Sequence, residues 1–266
     1  MNNLRPISLL DSIKRLVGRI ITDRLQKAVE AQGVYSDLQF GFRAHHSTKM
    51  AIARLHATFD EARHRRGKLV VAYLDFANMY CTIPHALIRT IMMIQGLSSR
   101  DTALVQGLYD GTVSAVRLPT GTSAWIEQRS GVLQGAPESC PIANLVVGAL
   151  IRFLQATQGV GFSHYNGSRE FVLGYADDLC LVANSVEEMQ VLLRQVELFC
   201  ARTGLELNVD ETVVQGIDYA TGADLRPHLT YGGRRVPCRA ARKSFKYLGC
   251  LGDLTLNFRE ERTRIM

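Results

Sequence analysis

The sequence predicts an α+β fold, a largely antiparallel sheet packed by helices. Three observations predict it. Apolar residues recur at helical spacing near the start of the chain, short apolar β-branched runs take over at Leu69, and from there strands and helices interleave with hairpin signals between the strands. The chain has 266 residues, 47% of them hydrophobic and 21% charged, so it can bury one large core or two modest ones. No run of apolar residues reaches membrane-spanning length. The longest, 142–154, is interrupted by Asn144, Gly148 and Arg152 and reads as a buried helix, so no membrane partner is expected.

From Leu9 to Gln32 the residues Ile13, Leu16, Val17, Ile20, Ile21, Leu25 and Val29 form an apolar helical face, with Gly33 as the stop and Lys14, Arg15, Arg24 and Lys27 opposite. A second helix starts at Ser47 as N-cap and runs to Arg66, before Gly67. The run LVVAYLD at 69–75 has the length and composition of a buried strand with a carboxylate at its end. Helices follow at Pro84–Gln95 and Ser98–Tyr109, then a hairpin of Thr112–Leu118 and Ser123–Gln128, then a helix from Ser139 to Gln155. Glu170–Tyr175 and Leu179–Ala183 read as two strands joined at Ala176, Asp177 and Asp178. Ser185 caps a helix through Arg202, ended by Gly204, and short strands are expected at Leu205–Val209, Val213–Ile217 and Ser244–Leu248.

Six cysteines show no CxxC pair and no companion histidine spacing, which argues against a zinc site or a disulfide framework. Pro6 interrupts MNNLRPISLL, which does not read as a secretory signal, and an intracellular, reducing setting is expected. Charge is unevenly spread. Residues 1–68 carry a net +7, residues 69–225 a net −8, and residues 226–246 seven cations and no acid. An acidic centre between basic flanks suits a cation site beside a polyanion-binding surface, and solvated helix faces are the plainer alternative.

Two features call for chemistry. Asp75 stands at the tip of an apolar strand, and Asp177 and Asp178 stand together inside FVLGYADDLCLVA. An unpaired buried carboxylate costs several kcal/mol or shifts its pKa, and two together repel. With few cations nearby in sequence, a divalent ion bound through oxygen ligands, Mg²⁺ or Mn²⁺, is the economical compensation. A pair of such ions, roughly 3.5–4 Å apart, serves phosphoryl or nucleotidyl transfer. Neighbouring strand residues point to opposite faces, so both aspartates reach one site only if the hairpin turn falls there. Ala-Asp-Asp alone also suits an ordinary polar turn, and at this point both readings stand.

Seven blocks in order carry a resemblance: LRPISLL at 4–10, QFGFRAHHST at 39–48, LVVAYLDFANMY at 69–80, SGVLQGAPESCPIAN at 130–144, FVLGYADDLCLVAN at 171–184, GLELNVDET at 204–212 and FKYLGC at 245–250. Together they resemble the reverse transcriptase domain of non-long-terminal-repeat (LINE-type) retrotransposons, related to group II intron reverse transcriptases. The resemblance implies right-hand fingers and palm, with fingers over 1–68 (85–130 partly shared), palm over 69–250, and 251–266 starting a connection to a thumb that is largely missing. It implies RNA-directed DNA polymerisation with Mg²⁺, for which Mn²⁺ can substitute, on an RNA template, a DNA primer and dNTPs. Asp75, Asp177 and Asp178 would be the catalytic, metal-binding carboxylates, with Phe76 counted among the metal-binding positions. The backbone of Phe76 and Ala77 would lie along the triphosphate, Arg43 would grip it, and Tyr80 would gate against a ribose 2′-hydroxyl, which disfavours a ribonucleotide polymerase. Gln134 and Gly135 would bed the nucleotide–template pair. Arg5, Lys14, Arg15, Tyr175, Lys246 and Tyr247 would touch nucleic acid, and Arg65, Arg66 and the 226–246 cluster would contact backbone phosphates.

Several positions depart from that family's pattern. Cys81 stands where a second aspartate is common, Glu138 and Cys140 replace leucine and proline, and Glu211 replaces a lysine that could protonate the leaving pyrophosphate. These departures, and the lack of a thumb, imply a fragment of a retrotransposon polyprotein, or alternatively a nucleic-acid-binding remnant with impaired catalysis.

Overall fold

The computed structural model describes residues 7–265, and Arg5 lies outside the described residues. Among the described residues eight helices run in chain order: α1 (Ser12–Ala31), α2 (Thr48–His64), α3 (Met79–Thr82), α4 (His85–Ile94), α5 (Ser99–Gly107), α6 (Ser139–Gln155), α7 (Val186–Thr203) and α8 (Arg259–Ile265). The main sheet consists of β1 (Lys68–Leu74), β2 (Val172–Tyr175), β3 (Asp178–Ala183), β4 (Val213–Asp218) and β5 (Ala223–Asp224). The chain divides into two compact units, each gathered from three stretches. One holds Met1–Tyr35, Asn78–Ala149 and Thr203–Leu205, and the other Ser36–Ala77, Leu150–Arg202 and Glu206–Met266.

The sheet belongs to the second unit. Its strand order is β5–β4–β1–β3–β2, and every pairing is antiparallel. The central strand β1 is buried on both faces from Leu69 to Leu74, which explains a continuous apolar run in an antiparallel sheet, where alternation is the norm. On one face Leu69, Val71 and Tyr73 meet Leu55, Phe59 and Ala62 of α2, with Leu173, Cys180 and Val182 beside them. Each buried aliphatic or aromatic side chain there contributes about 1.5–3 kcal/mol. Register is firm: Tyr73 pairs with Val213 on one side and Cys180 on the other, and Leu74 pairs with Leu179. One step further, Asp75 comes level with Asp178.

Helix starts follow the capping chemistry read from the sequence. Ser47 Oγ accepts from the Met50 N–H at 3.3 Å and Ser185 Oγ from the Glu188 N–H at 3.2 Å. Helix α2 ends differently from expectation, because Arg66, not Gly67, takes the left-handed φ of +51°. The segment 205–209 is not a strand. Leu205, Leu207 and Val209 are buried, as their alternation implies, yet the segment meets residues just beyond β1 through an isolated bridge between Phe76 and Leu207. Glu170 likewise leaves the expected strand, since Arg169–Glu170 pairs with Phe162–Ser163 in a separate hairpin.

In the first unit α1 corrects a second expectation. Its buried residues are Gly18, Thr22, Leu25 and Val29, whereas Ile13 (77% exposed), Leu16 (62%) and Ile20 (60%) face outward. The helix is aligned instead by Gly18, where an added Cβ would lie 2.4 Å from Glu138 Oε2. Glu138 is buried against α1, and its Oε2 lacks a hydrogen-bond partner. Burial pushes its carboxyl above the usual glutamate range, against the pull of its own backbone N–H and of Lys14.

Two outcomes follow from that contact. Gly18→Ala is expected to cost about 1–3 kcal/mol by overpacking. In a Glu138→Ala background, with the obstruction gone, the same change is expected to stabilise by about 0.5–1 kcal/mol through helix propensity. Because the folded-state pKa of Glu138 is raised, the folded chain holds the proton more tightly, and stability falls as pH rises from the ordinary glutamate pKa through the raised one. Urea denaturation across that window is expected to show this slope in the parent and its reduction in Glu138→Gln.

Candidate active site

The end of β1 and the β2–β3 hairpin bring the sequence-distant carboxylates together. Tyr175 pairs with Asp178, so the loop between the strands is only Ala176 and Asp177. Ala176 takes a φ of +56°, strained for a residue with a Cβ, and Asp177 is set at the tip. Asp178 is the first residue of β3 and is exposed. The turn condition needed for a shared site is therefore met by Asp177 in the loop and Asp178 at its edge.

Asp75 is half-buried, and its carboxyl is pushed above the usual aspartate range. Burial is the largest cause, followed by the charge of Glu211. An Asn208 side-chain hydrogen bond pulls the other way, while a Glu211 hydrogen bond and the charge of Asp177 add to the rise. The segment 206–212 wraps this aspartate. Asn208 N–H donates to Asp75 O at 2.7 Å, Ala77 N–H to Glu206 O at 2.9 Å, and Asp75 N–H to Thr212 Oγ1 at 3.1 Å. Phe76 is buried, and its own peptide groups take no part in that bridge, so they face the opposite way. Ala77, expected with Phe76 to lie along a triphosphate, is half-buried at the end of this segment.

The hairpin tip is held by a residue the sequence reading did not single out. Gln39, fully buried, accepts from the Gly41 N–H at 2.9 Å and the Ala176 N–H at 3.0 Å through Oε1, and donates from Nε2 to Ala176 O at 3.3 Å. Phe40 N–H donates to Gly174 O and Gly174 N–H to Leu38 O, both at 2.7 Å, so residues 38–40 lie along β2. Gly41 closes the approach: a Cβ there would lie 2.2 Å from Ala176 N. The only hint in the sequence was the block containing QFG, whose glycine permits this contact.

Other expected site residues lie on the same unit. Arg43 donates from Nη1 to Ser36 O at 2.8 Å and Gln39 O at 3.0 Å, bracing the loop that carries Gln39. Tyr175 is half-buried and packs its ring toward Phe42, centroids 6.2 Å apart. Lys246 is exposed, on the strand β6 (Phe245–Tyr247) that pairs with β7 (Cys250–Gly252). Tyr247, expected to touch nucleic acid, is instead buried. The alternation of β6 turns Phe245 and Tyr247 inward onto Tyr73, with centroids 4.2 and 5.5 Å away. Its hydroxyl lies 3.4 Å from both Leu173 O and Asp178 O. Arg65, expected on phosphates, donates to Ser163 O and lies over the Tyr165 ring.

The first unit holds the remaining candidates. Tyr80 is half-buried on α3, and its carbonyl accepts from Val132 N–H at 2.6 Å, which sets residues 80–83 beside 130–134. The Gln134 amide lies 3.9 Å from Cys81 Sγ, and Gln134 O accepts from Ser8 N–H at 2.9 Å. Gly135 is exposed at φ +102°. Lys14 lies on α1 near Glu138, and Arg15 is exposed beside it.

With this geometry in hand, the sequence model of the family described as reverse transcriptase (RNA-dependent DNA polymerase) matches residues 1–251. The chain belongs to the reverse transcriptase family. Among similar proteins, the Retrovirus-related Pol polyprotein from type-1 retrotransposable element R2 of Popillia japonica is 27% identical over 93% of this chain and 35% of its own length. The probable RNA-directed DNA polymerase from transposon BS of Drosophila melanogaster is 26% identical over 96% of this chain and 28% of its own length. This reverse transcriptase chain thus spans about a third of such relatives. A solved telomerase from Candida tropicalis, in complex with a fragment of telomeric RNA, shares the fold with a TM-score of 0.61 at 11% identity, over 93% of this chain and 37% of the telomerase chain. The likeness covers a fingers and palm fold with an antiparallel sheet. Among the described residues no helix is long and apolar enough to cross a membrane.

Proposed function

We propose that this reverse transcriptase domain carries RNA-directed DNA polymerase activity, joining dNTPs to a DNA primer 3′-hydroxyl on an RNA template. The observation that carries the reading is that Asp75, one step beyond the Leu74–Leu179 pair, ends its strand beside the two-residue turn that carries Asp177. Among the described residues no group of three or more His, Cys, Asp or Glu side chains is arranged to hold a metal ion, so the protein's share of the site is the Asp75 and Asp177 pair. The donor set fits Mg²⁺, or Mn²⁺ in its place, which takes one or two carboxylates and completes its shell with phosphate oxygens and water. When bound, a divalent pair supplies an activated attacking hydroxyl and a neutralised leaving group.

Around that centre the chain's own residues hold and orient. Asn208 and Thr212 fix Asp75, Gln39 fixes the tip carrying Asp177, and Asp178 adds a third carboxylate at its edge. The Phe76 backbone lines the same end of the strand. We assign Arg43 to triphosphate oxygens, Tyr80 to the sugar gate, Gln134 and Gly135 to the nucleotide–template pair, and Lys14, Arg15, Tyr175 and Lys246 to nucleic acid. The test is primer extension by the 266-residue chain with RNA template, DNA primer, dNTPs and Mg²⁺ or Mn²⁺. Template-dependent extension is expected, and its absence in both metals would overturn the reading.

One observation favours impaired catalysis: Glu211 places a carboxyl against Asp75 where the family commonly has a lysine, so this position supplies no ammonium proton to the leaving pyrophosphate. Glu211→Lys is expected to raise the Mg²⁺-dependent extension rate several-fold. An unchanged rate would remove Glu211 from this role.

A further inference from the structure

The seven cations of residues 226–246 are not scattered. Four of them, Arg226, Arg235, Arg239 and Lys243, line one open cavity of about 270 Å³ together with Cys238 and Ala240. The backbone beneath is fastened to the main sheet. Val214 N–H of β4 donates to Pro237 O at 2.9 Å, and Arg239 N–H returns to Val214 O at 2.8 Å. Gln215, fully buried, donates through Nε2 to Ala240 O and Lys243 O, each at 2.8 Å, and Asp224 Oδ1 accepts from Ala241 N–H at 3.0 Å. A buried side chain is thus committed to closing the surface turn that presents Arg239, Ala240 and Lys243.

Like charges gathered around one cavity repel, so bracing of this kind marks a place where an anion is shared. Asp224 offsets only part of the charge, its Oδ2 lying 3.6 Å from Arg226 Nε. Arg234, the neighbour of Arg235, pairs instead with Asp210 at 2.7 Å. Planar guanidinium forks match phosphate oxygens. The lining offers no face on which a base could stack, because Arg239 itself lies over the nearby Phe245 ring, 5.4 Å from its centroid. Val214 pairs with Ala72, three residues before Asp75, so the cavity is anchored about 10 Å along the strand from the carboxylate.

We propose that this cavity is a phosphate site gripping the sugar–phosphate backbone of the bound nucleic acid, without reading its bases. The inference rests on the polymerase reading for its partner. It is tested by fluorescence anisotropy of a labelled RNA–DNA hybrid with the 266-residue chain between 50 and 200 mM KCl, over which the Debye length falls about twofold. Arg226→Gln/Lys243→Gln is compared with the parent and with Arg194→Gln on α7. The double variant is expected to bind about tenfold more weakly and to flatten the salt slope by about one to two, since each lost phosphate contact removes about 0.9. Arg194→Gln is expected to match the parent in both affinity and salt slope. Equal slopes and affinities for double variant and parent would overturn the site while leaving the polymerase reading intact. Calorimetry with inorganic pyrophosphate provides the second arm. Pyrophosphate binding lost in the double variant, with the hybrid slope unchanged, would assign the cavity to free polyphosphate and overturn the backbone role. Absence of salt-sensitive hybrid binding by the parent would overturn the polymerase reading and this inference with it.

Discussion

Asp177→Asn is expected to reduce primer extension by at least about 10³-fold, roughly 4 kcal/mol of barrier, while leaving the fold intact or slightly stabilised. The two effects come from one cause. Asp177 stands at the tip of a two-residue turn, and its charge raises the pKa of Asp75. Removing that charge relieves repulsion in the ligand-free chain, so thermal unfolding is expected at an equal or slightly higher temperature. Catalysis is lost because the neutral amide no longer attracts a divalent ion. Hybrid affinity measured without divalent ions should be unchanged. A variant that unfolds at much lower temperature, or that extends primers at the parental rate, would contradict this assignment.

Gln39→Ala is expected to lower kcat by about 10²-fold with little change in KM for dNTP, because it loosens the element that aims Asp177. The side chain makes three hydrogen bonds within one buried turn, and truncation leaves the Ala176 and Gly41 N–H groups without their acceptor. Each such orphaned group costs about 1–3 kcal/mol. The left-handed Ala176 depends on this support, since nothing in its own side chain favours φ +56°. Gln39→Glu keeps an acceptor for both N–H groups and is expected to recover part of kcat, which separates positioning from a general loss of stability. Turnover of Gln39→Ala within twofold of the parent would remove Gln39 from the positioning role.

Much of this was legible in the sequence, for identifiable reasons. The strand at 69–74 was readable because burial on both faces leaves no polar interruption, and its terminal carboxylate stood out against that background. The hairpin was readable because two apolar runs flank a short polar step. Pattern failed where it reports burial but not partners. Leu205, Leu207 and Val209 alternate and are buried, but no neighbouring strand completes a ladder, so no strand forms. The apolar spacing of α1 identified a helix, but the face that packs is set by Gly18 meeting Glu138, a contact between residues 120 positions apart. Tyr247 was placed by its block, whereas the alternation of β6 turns it inward. Gln39 was invisible to propensity because its role lies in hydrogen bonds to a turn far along the chain.

The central claim is that Asp75 and Asp177 serve one divalent-ion site. Fe²⁺ substituted for Mg²⁺, with ascorbate and peroxide, cuts the backbone close to where it binds, and the fragments can be mapped by mass spectrometry. The account predicts joint cleavage near residues 75 and 177, competed away by Mg²⁺ and lost at both places in Asp75→Asn. Cleavage confined to one of the two, or surviving unchanged in that variant, would contradict it.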